Sequence, residues 1–254
     1  MFKVTLADVS LLRDPLASIG EIIDEGVFKA SKDGLRFVAA DRAMVAVVDF
    51  QLAPGAFEKY EVSAEGGNDQ KLGLNITNFL SIIKRAGTGD KISMELAGAK
   101  LQVFIEGASG RRRFVVPLLD LGEEEIPPVD QLEFKSRAQV KSDVLQSGVA
   151  DAEIIADSII FETTPAKFMM FSEGDVSRTE LELEKGSDGL IELDVQAGAK
   201  ARYALDYLKK MVKAAKITDS VTIEHGEDYP MRLSFAAGDK AKIRYVLAPR
   251  VVEN

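Results

Sequence analysis

Within "ARYALDYLKKMVKAAK", Arg202, Lys209, Lys213 and Lys216 recur at spacings of 7, 4 and 3. On a helix that spacing gathers four cations on one stripe, while Leu205, Leu208, Val212 and Ala215 share the opposite, apolar face. Lys210 stands beside them. Such side chains make and break no bonds; a fixed row of ammonium and guanidinium groups attracts a polyanion, and phosphate contacts of this kind position a ligand without reading its sequence. Three other stretches that read as helices also carry cations: Arg13 on the first, Lys84 and Arg85 on the second, and Arg137 and Lys141 at i and i+4 on the third. Asp14, Asp143 and Asp206 sit on the same helices and oppose the attraction.

No constellation for catalysis assembles. The chain has no P-loop, no G-x-S-x-G and no H-E-x-x-H, and "GTG" at 87–89 lacks the further glycine of a dinucleotide fingerprint. There is no cysteine and a single histidine, His225, which excludes thiolate and histidine-cluster metal sites. Glu123, Glu124 and Glu125 are consecutive and do not converge on one point. The expectation is a protein without catalysis, cofactor or metal. Its N-terminus lacks the pattern of a signal peptide, and no apolar run approaches the roughly 20 residues of a membrane span. A cytoplasmic protein is expected.

The elements that must position these cations come in duplicate. "NITNFLSIIKRAGTGDKISMEL" (75–96) lies over "AKARYALDYLKKMVKAAKITDSVTIE" (199–224), and "EIIDEGVFKASKDGLRFVAAD" (21–41) over "EIIADSIIFETTPAKFMMFSEGD" (153–175). The offset is 132–133 for the second match and 128–129 for the first, which puts about four extra residues of the first copy in "SAEGGND". Each copy reads as strand, helix, several strands, helix, several strands. Val9, Leu12, Leu16, Ile19 and Ile23 give the first helix one apolar face, with Asp8 as a cap and Pro15 as a source of a kink or late start. The alternating stretches "LRFVAAD", "AMVAVVDFQL", "KISMEL", "LQVFIEG" and "RRRFVVPLLDL" read as strands. The class is α+β, two similar domains with helices on one face of antiparallel sheets.

Formal net charge is −9, but its distribution matters more. Residues 1–117 carry 15 basic and 15 acidic groups, 118–132 carry none and 5, and 133–254 carry 17 and 21. The middle segment, "LLDLGEEEIPPVDQL", has adjacent prolines and reads as an extended connector between domains 1–117 and 133–254. Two strands have the character of complementary edges. "RRRFVVP" carries Arg111, Arg112 and Arg113; "SRTELELE" alternates Glu180, Glu182 and Glu184 with Thr179, Leu181 and Leu183. A head-to-tail contact between them propagates from subunit to subunit and ends only by closing a ring.

"LNITNFLSIIKRAG", "LLDLGEEEIP", "YALDYLKKMVKA" and "RYVLAPR", together with Asp41 after a short strand, resemble the DNA sliding clamps of the proliferating cell nuclear antigen (PCNA) family. The similarity runs from Met1 to the C-terminus, and the cysteine-free, short-tailed form is similar to archaeal members. The resemblance implies a trimeric ring in which helices line the inner face and sheets lie outside, acting as a processivity factor for DNA polymerase and a moving platform for replication and repair enzymes. A subunit of a heterotrimeric or checkpoint-type clamp is the alternative. It further implies duplex-DNA contact through Arg13, Lys84, Arg85, Lys141, Lys209, Lys210, Lys213 and Lys216, and subunit contact through Arg111, Arg112, Arg113, Thr179, Glu180, Leu181 and Glu182. Gly20 and Ser81 stand where the family is often basic. The implied partner-peptide pocket comprises Ala40, Met44, Val45, Ile126, Pro127, Pro230, Val246, Ala248 and Pro249. DNA polymerase, flap endonuclease, DNA ligase and a clamp loader of the replication factor C type would bind there through short apolar motifs. Ala40 and Val246 replace bulkier side chains, and the connector is about two residues shorter than in eukaryotic relatives. Localisation would be with the archaeal nucleoid, or nuclear in a eukaryote.

Overall fold

The computed structural model describes residues 1–63, 69–122 and 126–250. The extra residues expected in "SAEGGND" fall mostly outside this set, as does the run Glu123 to Glu125. By contact the chain divides into two units: Met1–Ala40, Val48–Ile126 and Ala237–Ile243 form the first, and Asp41–Val47, Pro127–Ala236 and Arg244–Asn254 the second. The grouping thus follows contact rather than chain order alone.

In chain order the first copy contains β1 (Phe2–Leu6), α1 (Ser10–Ile19), β2 (Glu25–Ser31), β3 (Gly34–Ala40), β4 (Ala46–Leu52), β5 (Lys59–Val62), β6 (Gln70–Asn75), α2 (Ile76–Ile83), β7 (Lys91–Ala97), β8 (Lys100–Gly107) and β9 (Gly110–Pro117). The second repeats that order with β10 (Ser136–Lys141), α3 (Ser142–Ile155), β11 (Ser158–Thr163), β12 (Lys167–Glu173), β13 (Arg178–Glu184), β14 (Leu190–Val195), β15 (Ala199–Ala204), α4 (Leu205–Met211), β16 (Ser220–His225), β17 (Met231–Ala237) and β18 (Ala241–Leu247). In unit 1, β5-β1-β7-β8-β9 and β4-β3-β2-β6 lie side by side in those orders; in unit 2, β14-β10-β16-β17-β18 and β13-β12-β11-β15 do. The recorded pairings are antiparallel, and the topologies of the two units correspond strand for strand.

Alternation sets which side of each sheet is core. On β2, Phe28 and Ala30 are buried while Lys29 is exposed, and on β3 Leu35, Phe37 and Ala39 are buried around exposed Arg36. Phe28 meets Phe37 at 4.7 Å between ring centroids and Phe79 of α2 at 6.2 Å, so the helix seals the sheet through its apolar stripe. Leu12, Leu16 and Ile19 of α1 are fully buried beside α2. Each such side chain contributes about 1.5–3 kcal/mol by leaving water. Unit 2 repeats the plan with Phe161, Tyr203, Leu145, Leu208 and Met211. His225 is fully buried there, with Nε2 2.6 Å from the Thr163 hydroxyl, and burial pushes its pKa down to about 4.

Helix α1 runs from Ser10 through Pro15 without the late start that the proline suggested, and stops at Ile19, before Ile23. Asp8 is not its cap: the N-cap is Val9, which makes no side-chain bond, and Asp8, one residue earlier, accepts from the Ser10 amide at 3.1 Å. The repeated Glu-Ile-Ile lies in the turn after α1 in one copy and in the last turn of the longer α3 in the other. Arg202 and Arg137 are not on helices: they belong to β15 and β10, whose next elements α4 and α3 begin three and five residues later.

Candidate DNA, subunit and peptide contact sites

In unit 1, Arg13 lies on α1, while Lys84 and Arg85 are exposed at the C-terminal end of α2. Asn75 starts α2 by accepting a bond from the Asn78 amide at 2.9 Å. Arg13 donates to Asp14 at 2.8 Å, and that bond raises its pKa against the opposing effect of burial. In unit 2, Lys141 is the residue before α3 and pairs with Asp188 of the turn before β14. Lys209 and Lys210 occupy the last turn of α4, and Lys213 and Lys216 the 3₁₀ turn Val212–Ile217. Lys209 donates to Glu153 of α3 at 2.9 Å, and Lys210 sits over the Tyr207 ring at 5.6 Å. The hydrogen bonds to Asp188 and Glu153 raise the pKa values of Lys141 and Lys209, so both remain cationic. Arg202 instead donates to the Ser158 hydroxyl, and Arg137 to Glu192.

The edge strands alternate as their sequences suggest. On β9, Arg111, Arg113 and Val115 are exposed, with Arg112, Phe114 and Val116 half-buried between them; on β13, Glu180, Glu182 and Glu184 are exposed between Thr179, Leu181 and Leu183. Strand β9 ends its sheet in unit 1 and β13 ends its sheet in unit 2. Arg111 reaches Glu106 at 2.7 Å and stacks over Phe104, while Lys167 binds Glu182 at 2.5 Å. Arg112 differs from its neighbours. Its guanidinium donates to Asp90 at 2.8 Å and to the Arg85 carbonyl at 3.0 Å, tying the edge strand to the turn after α2.

Of the expected peptide pocket, Ala40 on β3 and Ile126 belong to unit 1, and the rest to unit 2. Residues 41–45 form a tight loop before β4 whose geometry one carboxylate dictates. Oδ1 of Asp41 accepts from the Val45 and Ala46 amides, both at 2.7 Å; Oδ2 accepts from the Ala43 amide at 3.2 Å and from the Tyr207 hydroxyl at 2.7 Å. Burial opposes the charge, yet these four donors hold the Asp41 pKa below its usual value. Hydrogen bonding to that carboxylate and burial push the Tyr207 hydroxyl up to about 12. The loop places Met44 at φ 56°, a sparsely occupied region for a residue with a side chain, with about half its surface exposed. Val45 accepts from the Ala248 amide at 2.9 Å, which brings the end of β18 beside the loop. Val246 is buried, while Pro127, Pro230, Ala248 and Pro249 are half-buried. Tyr207, half-buried on α4, is the participant that sequence reasoning missed; its only signal was its register with Phe79 of the other copy.

Among the described residues no group of three His, Cys, Asp or Glu side chains is arranged to hold a metal, and no helix is long and apolar enough to cross a membrane.

Comparison with known proteins bears on the fold and the family of the chain. Residues 1–109 match the family model of the PCNA N-terminal domain and residues 128–250 that of its C-terminal domain. The chain is 31% identical over 253 residues to the DNA polymerase sliding clamp of Pyrococcus furiosus, with 99% of both chains covered. Its identity to that of Nanoarchaeum equitans is 31% over 251 residues, covering 98% of this chain and 99% of the other. The crystal structure of PCNA from Thermococcus kodakaraensis superposes with a TM-score of 0.89 at 27% identity, covering 98% of this chain and all of the other. In fold and in sequence, this chain belongs to the proliferating cell nuclear antigen family.

Proposed function

We propose that the chain is a DNA sliding clamp: three copies, each with clamp domains 1–117 and 133–254 joined by residues 118–132, close into a ring around duplex DNA. The ring tethers polymerase and other replication and repair enzymes without catalysing a step itself. The observation that carries this reading is the pair of open edges, β9 basic and β13 acidic, on units that share one topology. Edges that complement each other within one chain favour self-assembly. The repeated helices and the residues that flank them supply the surface for DNA through Arg13, Lys84, Arg85, Lys141, Lys209, Lys210, Lys213 and Lys216. The Met44 loop and the end of β18 supply part of the partner-peptide site.

Light scattering on the eluting protein tests assembly directly: a mass near three times 27.6 kDa, about 83 kDa, that falls as salt is raised, is expected. After loading on nicked circular duplex, the protein should stay bound until the circle is linearised. A monomer at every concentration, or equal loss from circular and linear DNA, overturns the proposal.

A further inference from the structure

Unit 2 encloses three polar side chains at places where unit 1, built on the same topology, has apolar ones. Ser136 of β10 stands opposite His225 of β16, and the His225 ring meets Thr163 of β11, which belongs to the other sheet of that unit. All three are buried. In the repeat, Glu95 pairs with Lys3 as Glu224 pairs with Arg137, which sets Leu96 at the place of His225 and Phe2 at that of Ser136. Ala30 pairs with Leu35 and Gln70 as Thr163 pairs with Phe168 and Ala199, so Ala30 is the counterpart of Thr163. The architecture is thus built once with Phe2, Ala30 and Leu96, none of which has a polar side-chain atom.

Burying a polar group costs stability unless a partner meets it. Nε2 of His225 and the Thr163 hydroxyl satisfy each other at 2.6 Å, but Nδ1 and the Ser136 Oγ are buried without a hydrogen-bond partner. A neutral ring can sit there. An imidazolium has two N–H donors and a full charge, of which the Thr163 oxygen can answer one donor. The Phe161 ring packs edge-on against the imidazole at 6.4 Å between centroids, and among the described residues no carboxylate is bonded to it. Tyr203, on the same phenyl ring, is kept neutral by burial and donates to the Tyr229 carbonyl. The charged neighbours in sequence and register are engaged elsewhere: Arg137 with Glu192, Glu224 with Arg232, and Lys200 with Glu162. Lys135, Asp194, Glu227 and Asp228 are exposed. Burial therefore outweighs the opposing effect of the Gly226 backbone and holds the ring's pKa at about 4.

We propose that His225 is an acid-sensitive latch of unit 2: its neutral ring joins the two sheets through Thr163, and uptake of a proton opens that seam while unit 1, which has no histidine, stays closed. The sign follows from where the proton can go. An unfolded histidine titrates near 6.5, above the folded value, so the open form binds more protons between about pH 6.5 and about pH 4. The seam weakens as pH falls through that window and is at full strength above it.

His225 is the only histidine, so its Cε1 proton gives a single imidazole signal by NMR in the full-length protein. In the folded protein that signal should hold its position from about pH 8 down to about pH 5. Amide protection at residues 158–163 and 220–225, corrected for intrinsic exchange, should fall by up to about tenfold for each pH unit below 6.5, while protection at residues 25–31 holds. The His225→Leu, Thr163→Ala variant takes over the side chains that unit 1 uses, and its protection should stay level across the same window. A signal that titrates near 6.5 in the folded protein overturns the inference, and it does so whether or not the variant folds. Equal loss of protection in parent and variant overturns it as well.

Discussion

One carboxylate decides the conformation of the candidate peptide loop. Asp41 collects three backbone donors and the Tyr207 hydroxyl, and these bonds hold Met44 at a positive φ that its side chain disfavours. Replacing Tyr207 by Phe removes one charge-assisted bond, which costs about 1.5–3 kcal/mol, and releases the loop from α4. Amide exchange at residues 43–46 should quicken, and Tm should fall. A pH signature separates this bond from simple packing. The folded-state pKa of Asp41 is depressed, so its contribution is complete above the unfolded carboxylate value near 3.9 and is lost as pH falls through the folded value. The Phe variant should therefore lose less stability than the parent on acidification. Equal losses would show that Tyr207 acts through packing alone. The family resemblance drew on Asp41 but not on its partner, because only the fold brings the Tyr207 hydroxyl 166 residues back along the chain.

At the scale of elements, strands were more legible than helix starts. The alternation of "RRRFVVP" and "SRTELELE" survives in the burial of β9 and β13 almost residue by residue. Arg202 and Arg137 were misplaced for a physical reason. Helices α4 and α3 begin after Ala204 and Lys141, neither of which caps its helix with a side chain, so the strand runs into the helix without punctuation. Arg202 to Lys209 keeps a helical spacing by coincidence. The edge strands also give a prediction that does not depend on one contact. Reversing Arg111 and Arg113 to Glu should abolish the 83 kDa species by setting like charges against β13 of the next subunit. Reversing Glu180 and Glu182 to Arg in the same chain should restore it, since both edges then carry opposite sign again. Light scattering reads both outcomes. Trimers that persist in the first variant, or fail to return in the second although each protein is folded, would exclude charge pairing between these strands. Arg112, bound to Asp90, should matter to Tm more than to assembly.

For the whole molecule, the question is how a protein of net charge −9 could hold DNA while sliding along it. In the proposed ring the acid surplus does not lie only on the outside. Arg13, Lys141 and Lys209 each already hold a carboxylate: Asp14, Asp188 and Glu153. A phosphate must displace that partner or share the cation with it, so each contact releases fewer counterions than a bare lysine would and grips less. Binding of this kind positions the duplex and resists its escape without stalling motion. Removing the internal acids should therefore tighten binding, the opposite of what removing the lysines does. The Asp188→Asn, Glu153→Gln variant should bind duplex several-fold more strongly at about 50 mM salt and show a steeper salt dependence, by about 0.9 for each phosphate newly neutralised. Its diffusion along DNA should slow. Lys141→Ala, Lys209→Ala should flatten the same plot. If the carboxylate changes left affinity and slope untouched, Lys141 and Lys209 would not face phosphates, and the DNA contacts would have to rest on Arg13, Lys84, Arg85, Lys210, Lys213 and Lys216 instead.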